Sequence, residues 1–317
     1  MPSSSRRPQV VLAFACVYLC WGATYAAIRI AGEHLAPPLV GAARSILSVA
    51  VLVGICLVRG TSLRVPSRTA WRLILVGILL MSVNNVLLIW GETLVPSGLS
   101  SLIIAMIPIY VAVIETVLPS GERLTPRGWI GVFAGAAGMF VLMSPALRTI
   151  GSAATNRTAI AGYAILIVAG LVFAIGSILS RRFRFRVDTF VATAWQIGAA
   201  GVVNILLTLA CGNLRTAHWT ASGLAAIAFL SVIGSVVGLS AYTYLLQNVP
   251  VTKVATYAFV NPAIAVIIGA ALFGERLAPA ELAGMALILV AVATVIGSRT
   301  PLTSPPSDPL LEVPIEE

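Results

Sequence analysis

Charged residues are scarce in this chain of 317 residues. They make up 10% of the composition, against roughly 25% in a soluble globular domain. Hydrophobic residues make up 59%, and the mean hydropathy is +1.00. A soluble protein of this size with so few charged residues could not cover its surface with polar groups. The composition therefore excludes an ordinary soluble domain and indicates a protein that crosses a membrane several times.

Side chains that bind metals or perform catalysis are also scarce. The two histidines, His34 and His218, fall in connecting segments, and the four cysteines stand in apolar stretches without a metal-ligand spacing. The chain has no HExxH, GxxxxGK[ST] or GxSxG motif. We therefore expect no cofactor and no metal. A membrane-embedded enzyme is the less favoured alternative, because no catalytic dyad is visible.

Lysine is nearly absent, since Lys253 is the only one among 20 basic residues. The net charge of +9 forms no single patch, because most arginines lie in short segments between apolar stretches. This distribution argues against nucleic acid as a partner. It is the pattern by which the positive-inside rule orients membrane proteins. Fourteen basic residues fall in loops on the N-terminal side of the membrane and four on the other, so we expect both termini in the cytoplasm.

Long apolar stretches are abundant. A helix needs about 20 mostly apolar residues to cross a bilayer, whereas a membrane strand would alternate with a period of two. Ten continuous stretches meet the helical requirement, so the sequence predicts an all-α polytopic membrane protein. The predicted spans are 10–30, 37–58, 70–91, 97–118, 127–147, 160–181, 188–211, 220–246, 250–273 and 279–298.

A repeated hexapeptide divides the chain into halves: GERLTP stands at 121–126 and GERLAP at 274–279. Two proline pairs ahead of these motifs share one spacing of 12 residues, namely Pro96 with Pro108 and Pro250 with Pro262. The shared landmarks predict an internal repeat. Each copy has five predicted spans, and this odd number inverts the second copy relative to the first. Inverted repeats are an architecture of alternating-access transporters.

The connecting segments complete the predicted domain organisation. The segment between the fifth and sixth spans is polar and rich in Gly, Ser and Thr, which is typical of a linker. The C-terminal segment is rich in proline and acidic residues, which predicts disorder. The expected units are a first repeat at 10–147, an external linker at 148–159, a second repeat at 160–298 and a disordered cytoplasmic tail at 299–317.

Polar side chains inside a span are costly in lipid, which makes them candidates for binding. Tyr18 and Trp21 share one face of the first span and are interpreted as cavity lining. Arg29, near the end of that span, is interpreted as snorkelling to the surface. Arg44 lies inside the second span at a depth of ~9 Å. It is interpreted either as a cation for an anionic substrate or as a structural donor to helix-end carbonyls.

Several amides also fall inside spans. Asn84 and Asn85 lie in the middle of the third span, where they either bond another helix or line a wet cavity. Trp195 and Gln196 are adjacent candidates in the seventh span. In the eighth span, Ser235 belongs to a stripe of small and polar residues whose serines are interpreted as close helix packing.

The ninth span carries Tyr257 and Asn261 four residues apart. Pro108 and Pro262 each free a backbone carbonyl in mid-span, and they are interpreted either as gate hinges or as plain kinks. Apart from Asp188 and Glu281 at the first residues of their spans, Glu115 is the only carboxylate within a predicted span, and we expect it to snorkel. Small residues in the fifth and tenth spans predict close helix packing. They are Gly128, Gly131, Gly135, Gly138, Ala280 and Gly284.

Three segments carry a family likeness: CWGATYAAIRIAGEHLAPPLVGAAR at 20–44, the segment 92–143 that contains GERLTP, and the segment 247–290 that contains GERLAP. The chain resembles the EamA-like ten-helix members of the drug/metabolite transporter superfamily over nearly its whole length. This resemblance implies a central cavity lined largely by helices one, three, four, six, eight and nine. It implies structural roles for the GERL glutamates, and it favours these cavity residues: Trp21, Asn84, Asn85, Pro108, Tyr242, Tyr257 and Asn261.

The resemblance further implies an inner-membrane exporter of small metabolites such as amino acids or drugs. We therefore expect a secondary transporter with a small-molecule substrate and the lipid bilayer as its partners. Arg44 and the amides favour a substrate that bears a carboxylate. An importer is the alternative direction. The sequence leaves the coupling ion and the oligomeric state open, a homodimer included.

Overall fold

A computed structural model describes residues 6–119, 124–148, 154–249, 254 and 257–297. The regular secondary structure of these residues is helical, and we number the helices α1 to α10. Their bounds are α1 Arg6–Gly32, α2 Pro37–Val58, α3 Ser67–Glu92, α4 Ser97–Val117, α5 Pro126–Arg148, α6 Ala154–Phe183, α7 Thr189–Ala210, α8 Ala221–Asn248, α9 Tyr257–Phe273 and α10 Pro279–Gly297.

Seven of the described helices are long and apolar enough to cross a membrane: α1, α2, α3, α4, α6, α7 and α8. The other three contain shorter apolar helices over Pro126–Leu142, Val260–Phe273 and Pro279–Val295. Large apolar side chains such as Phe133, Phe140 and Ile267 are exposed on the outer surface. An exposed apolar surface of this kind needs lipid to cover it. The protein is therefore an all-helical polytopic membrane protein, as the sequence predicts.

Helix starts follow local chemistry. Proline is the first residue of α2, α5 and α10, a position where its missing N–H costs nothing. Asp188 caps α7 by accepting hydrogen bonds from two first-turn N–H groups at 2.9 and 3.3 Å. Thr220 caps α8 in the same way at 3.1 Å. These caps place the helix ends near the predicted span bounds.

Three helices are irregular in the middle. The segment Ile78–Val83 of α3 and the segment Leu230–Leu239 of α8 are π-helical. Helix α4 is divided into Ser97–Ile104 and Ile107–Val117. Pro108 lies in the first turn of the second piece, where it disturbs little, whereas Pro262 lies inside α9. Such π-helical insertions are frequent at functional sites.

Close packing joins the two halves of the chain. Helix α5 packs along α10, and a Cβ added to Gly284 would lie 2.6 Å from the backbone nitrogen of Leu142. A Cβ on Gly138 would meet the backbone nitrogen of Ile288 at 3.0 Å. The prediction that these glycines serve helix packing is confirmed.

The contacts between halves follow a symmetric pattern. Helix α2 packs on α7 and α5 packs on α10. Helix α1 packs on α8 and α9, while α6 packs on α3 and α4. This pattern is unchanged when the first five helices exchange places with the last five. The central cavity described next lies between the two halves.

Candidate functional site

A cavity of about 70 Å³ lies between the halves of the bundle. Helices α1, α2, α3 and α4 line it from one half, and α6, α8 and α9 line it from the other. Its polar and aromatic lining comprises Trp21, Thr24, Tyr25, Arg44, Asn84, Asn85, Phe173, Tyr257 and Asn261. Pockets that hold drug-sized ligands are typically about 300–1,000 Å³, so this cavity is small for a metabolite. The helices must separate before a metabolite can enter.

Arg44 is the cation of the cavity. Its guanidinium is buried, donates from Nε to Ser235 Oγ at 2.6 Å, and donates from Nη1 to Asn85 Oδ1 at 3.0 Å. Both partners are neutral, and no carboxylate among the described residues forms an ion pair with Arg44. The site therefore holds a positive charge in a fixed orientation without a protein counter-charge.

The amides divide between support and lining. Asn84 donates from Nδ2 to the carbonyl of Ala169 at 2.9 Å, which ties α3 to α6, and it also lines the cavity. Asn85 holds Arg44 through its oxygen. Asn261 lines the cavity, and its Oδ1 is buried without a hydrogen-bond partner among the described residues. The cavity thus offers one free amide acceptor beside a fixed cation.

Aromatic rings close one end of the cavity. The ring centroid of Trp21 lies 4.8 Å from that of Tyr242, 5.6 Å from that of Tyr257 and 6.0 Å from that of Phe173. The indole Nε1 of Trp21 donates to the carbonyl of Gly234 at 3.1 Å, within the π-helical part of α8. These four rings, from α1, α6, α8 and α9, form what we call the aromatic end of the cavity.

An ion pair lies at the opposite end, which we call the Arg29 end. Arg29 of α1 pairs with Glu275, which follows α9, and its guanidinium lies 4.5 Å from the ring centroid of Phe273. Glu275 also accepts from the backbone nitrogens of Ser97 and Gly98, each at 3.1 Å, at the start of α4. The snorkelling interpretation from the sequence did not include this partner, a carboxylate that follows another helix. The sister glutamate of the first GERL motif lies outside the described residues.

The structure brings most of the predicted site residues together. Trp21, Arg44, Asn84, Asn85, Tyr257 and Asn261 all line the cavity. Tyr242 lies behind Trp21, buried, and its hydroxyl donates to Ser177 Oγ at 3.0 Å. Ser235, interpreted from the sequence as a packing residue, instead orients Arg44.

Three predicted site residues lie elsewhere. Tyr18 lies one helical turn N-terminal to Trp21, outside the cavity lining, and packs on Phe14 at a centroid distance of 5.7 Å. Trp195 donates to the carbonyl of Leu63 at 2.9 Å and lines a separate apolar groove. Gln196 is buried where α7 packs on α3, with both side-chain polar atoms unpartnered among the described residues. Helix α7 lies behind α2 and α3, so its side chains do not line the cavity.

Two carboxylates differ from their expected settings. Glu115 does not snorkel: it is buried, and its Oε2 accepts from Arg182 Nη2 at 3.3 Å. Glu92, expected in a connector, is the last residue of α3 and is 5% exposed. Its position directly after the predicted third span is the signal that could have identified it. Glu115 is therefore not the only carboxylate within a span.

Comparisons with known proteins assign this architecture to a family. The chain matches the model described as the EamA-like transporter family twice, over residues 9–144 and over residues 160–297. It is similar to the uncharacterized inner membrane transporter YedA of Escherichia coli (strain K12), at 31% identity over 284 residues that cover 89% of each chain. It is also similar to the uncharacterized transporter YvbV of Bacillus subtilis (strain 168), at 24% identity over 91% of this chain and 92% of that one.

A solved crystal structure shows a similar fold. It is 22% identical in sequence to this chain, covers 92% of this chain and 98% of its own, and overlays with a TM-score of 0.66. At this identity the likeness concerns the fold alone. Neither the family match nor this structure names a substrate.

Proposed function

Because the chain belongs to the EamA-like transporter family, we propose that this multi-pass membrane transporter exports small metabolites that bear a carboxylate, amino acids among them. It works as a secondary transporter by alternating access. The observation that carries the proposal is the uncompensated charge of Arg44 inside the cavity. The two neutral partners of Arg44 orient the guanidinium and leave its charge for a ligand.

The energetics of burial favour an anionic ligand. A buried charge is costly unless an opposite charge pairs with it. Arginine stays protonated in proteins and presents a planar fork that matches a carboxylate. A carboxylate that enters the cavity therefore gains an ion pair that the protein itself does not provide. Metabolites that bear this group are the best candidates.

The remaining lining favours an amino group on the same molecule. The unpartnered Oδ1 of Asn261 is an acceptor, and ring faces of Trp21 and Tyr257 attract cations. An ammonium near these groups and a carboxylate at Arg44 would satisfy both kinds of partner. An organic acid without an amino group would use Arg44 alone and leave Asn261 unpaired.

The proposed architecture is ten spans in two inverted repeats of five. The symmetric helix contacts support it, as do the two separate family matches, one in each half. The π-helical segments support it too, because they fall in α3 and α8, which hold the same place in their halves. Pro108 and Pro262, also in equivalent helices, are proposed hinges beside the cavity.

We propose that the protein lies in the inner membrane with both termini in the cytoplasm. The distribution of basic residues supports the orientation. The name of the similar Escherichia coli protein, an inner membrane transporter, supports the location. In this orientation the Arg29 end faces outward and the aromatic end faces the cytoplasm. Export then requires the aromatic end to open first and the Arg29 ion pair to separate second.

The test is a metabolite profile of cells and medium with the protein overexpressed. The variant Arg44→Met removes the charge, Arg44→Lys keeps it without the planar fork, and Arg64→Met removes an exposed arginine as the matched control. We expect one pool of carboxylate metabolites to leave cells faster with the wild type and the control. We expect Arg44→Met to abolish this at equal membrane abundance, with Arg44→Lys between them.

The outcomes separate the parts of the proposal. If Arg44→Met exports as fast as the wild type, transport stands and the role of Arg44 fails. If a pool accumulates inside the cells instead, the protein is an importer. If no pool moves in either direction across several growth media, the export proposal fails.

A further inference from the structure

A second pocket, of about 320 Å³, lies at the Arg29 end. Arg29, Glu33, Glu92 and the segment 93–96 line it. Glu92 is 5% exposed, and both of its carboxylate oxygens are buried without a hydrogen-bond partner among the described residues. The wall of the pocket thus includes a carboxyl group that no donor in the described part of the chain satisfies. An ionised carboxylate in such a place is expensive, and binding a proton relieves the cost.

The ionisable neighbours of Glu92 come from several packed elements. Helix α1 contributes Tyr25 and Arg29, the turn after α1 contributes Glu33, and the segment after α9 contributes Glu275. Two other helices pack on the last part of α3: α2 carries Arg44 in the cavity, and α6 carries Tyr163 next to Gly162, which lies against Gly91. The first piece of α4 carries no ionisable side chain. Arg29 is the cation within electrostatic range of Glu92, and Glu275 already holds it.

Three carboxylates therefore share one arginine: Glu275 holds it, the exposed Glu33 lies 3.8 Å from it, and the buried Glu92 has no other cation in range among the described residues. We propose that Glu92 is a proton-binding site whose occupancy controls the Arg29–Glu275 ion pair. With the proton bound, Glu92 makes no demand on Arg29, and the pair closes this end. When the proton leaves, the new charge on Glu92 attracts Arg29 and weakens its hold on Glu275. Lower pH favours the closed state of this end, and higher pH favours its open state. For a single proton, the ratio of closed to open protein changes by up to tenfold per pH unit.

The position of Glu92 links the proton to the cavity. Leu88, one helical turn before Glu92, lines the central cavity, and Tyr25 lines it from α1 within electrostatic range of Glu92. A proton bound while the Arg29 end is open can leave through the cavity when the other end opens. Such a cycle exchanges one proton for one substrate. This coupling rests on the proposed transport function, whereas proton binding by Glu92 does not.

Infrared difference spectroscopy tests proton binding without any substrate. The full chain is reconstituted in liposomes, and the carbonyl stretch of protonated carboxylic acids is followed as the pH rises. We expect a band that disappears with pH in the wild type and is missing in Glu92→Gln. The matched control is Glu115→Gln, which alters a buried carboxyl that already has an arginine partner and should keep the band.

The infrared result has clear contrary outcomes. If Glu92→Gln shows the same titrating band as the wild type, the proposed proton site is wrong. If Glu92→Gln does not reach the membrane, Glu92→Asp replaces it. We then expect a shifted midpoint, and an unchanged midpoint overturns the proposal.

Proton movement with substrate tests the coupling. Liposomes that hold a pH-sensitive dye receive the metabolite found by profiling. We expect the wild type to move protons opposite to the metabolite, and Glu92→Gln to move the metabolite down its own gradient without protons. Equal proton movement by both proteins refutes the coupling and leaves transport intact. A titrating Glu92 in a wild type that moves no metabolite refutes the transport function and leaves the proton site intact.

Discussion

The ion pair at the Arg29 end supports a measurable stability prediction. Glu275 accepts from the Arg29 guanidinium, from the Ser97 and Gly98 backbone nitrogens, and from the Ser97 hydroxyl. Its side chain is 10% exposed, and that of Arg29 is 30% exposed. One carboxylate thus joins the end of α1, the start of α4 and the segment after α9. Replacing Glu275 with alanine should loosen all three.

The magnitude follows from the number and burial of these bonds. Removing one partner of a buried ion pair costs about 3–5 kcal/mol. Arg29 keeps some access to solvent, so we expect about 2–4 kcal/mol for Glu275→Ala, roughly 1 kcal/mol lower than that range. Glu275→Gln retains an acceptor oxygen for the α4 backbone and should cost about 1–2 kcal/mol. Glu33→Gln removes the 3.8 Å pair of an exposed carboxylate with the same arginine and should cost less than about 0.5 kcal/mol.

A double-mutant cycle with Arg29→Met isolates the pair. Reversible unfolding in mixed micelles gives the free energy for each single variant and for the double variant. We expect a coupling energy of about 1–2 kcal/mol between Arg29 and Glu275. A coupling below about 0.5 kcal/mol, the range found for independent sites, would show that the ion pair does not hold this end together. Glu275 would then act only as the cap of α4.

Three further outcomes follow from the packing. Trp21→Ala should lower export strongly because it removes the centre of the aromatic end, while Trp21→Phe should keep partial activity; flux from preloaded liposomes measures both. Gly284→Ala should lower the free energy of unfolding by about 1–3 kcal/mol because its Cβ meets backbone, whereas Gly297→Ala has open space and should be neutral. Arg182→Gln should destabilise the protein by about 1–3 kcal/mol, because Glu115 loses its donor, and the same unfolding assay detects the loss.

Helix bounds were the most predictable part of the fold. The second span was predicted at 37–58, and α2 runs over Pro37–Val58. The fourth was predicted at 97–118, and α4 ends at Val117. Continuous hydropathy fixes such lengths, and proline at a first turn fixes where a helix begins. The π-helical segments of α3 and α8 could not be predicted, because nothing local in their composition distinguishes them from ordinary apolar helix.

The direction of each polar side chain was less predictable. Arg44 and Gln196 are both isolated polar residues in apolar helices, yet Arg44 lines the cavity and Gln196 is buried between α7 and α3. The difference depends on which helix packs on which face, and that depends on residues far away in the chain. Glu92 was missed because a carboxylate at a span boundary resembles an ordinary connector. Only the packing around it shows its burial.

The isolated charge of Arg44 gives the transport cycle an electrical asymmetry. Without a bound anion, the cavity carries a net positive charge from this guanidinium, whereas a bound monoanion neutralises it. The membrane voltage falls across whichever end is closed, so switching ends moves the cavity charge through the field. An elementary charge that crosses the full field changes in energy by about 2.3 kcal/mol per 100 mV. For a monoanionic substrate the voltage then acts on the Arg44 charge during the return of the empty protein, whereas the bound anion cancels that charge during the loaded step.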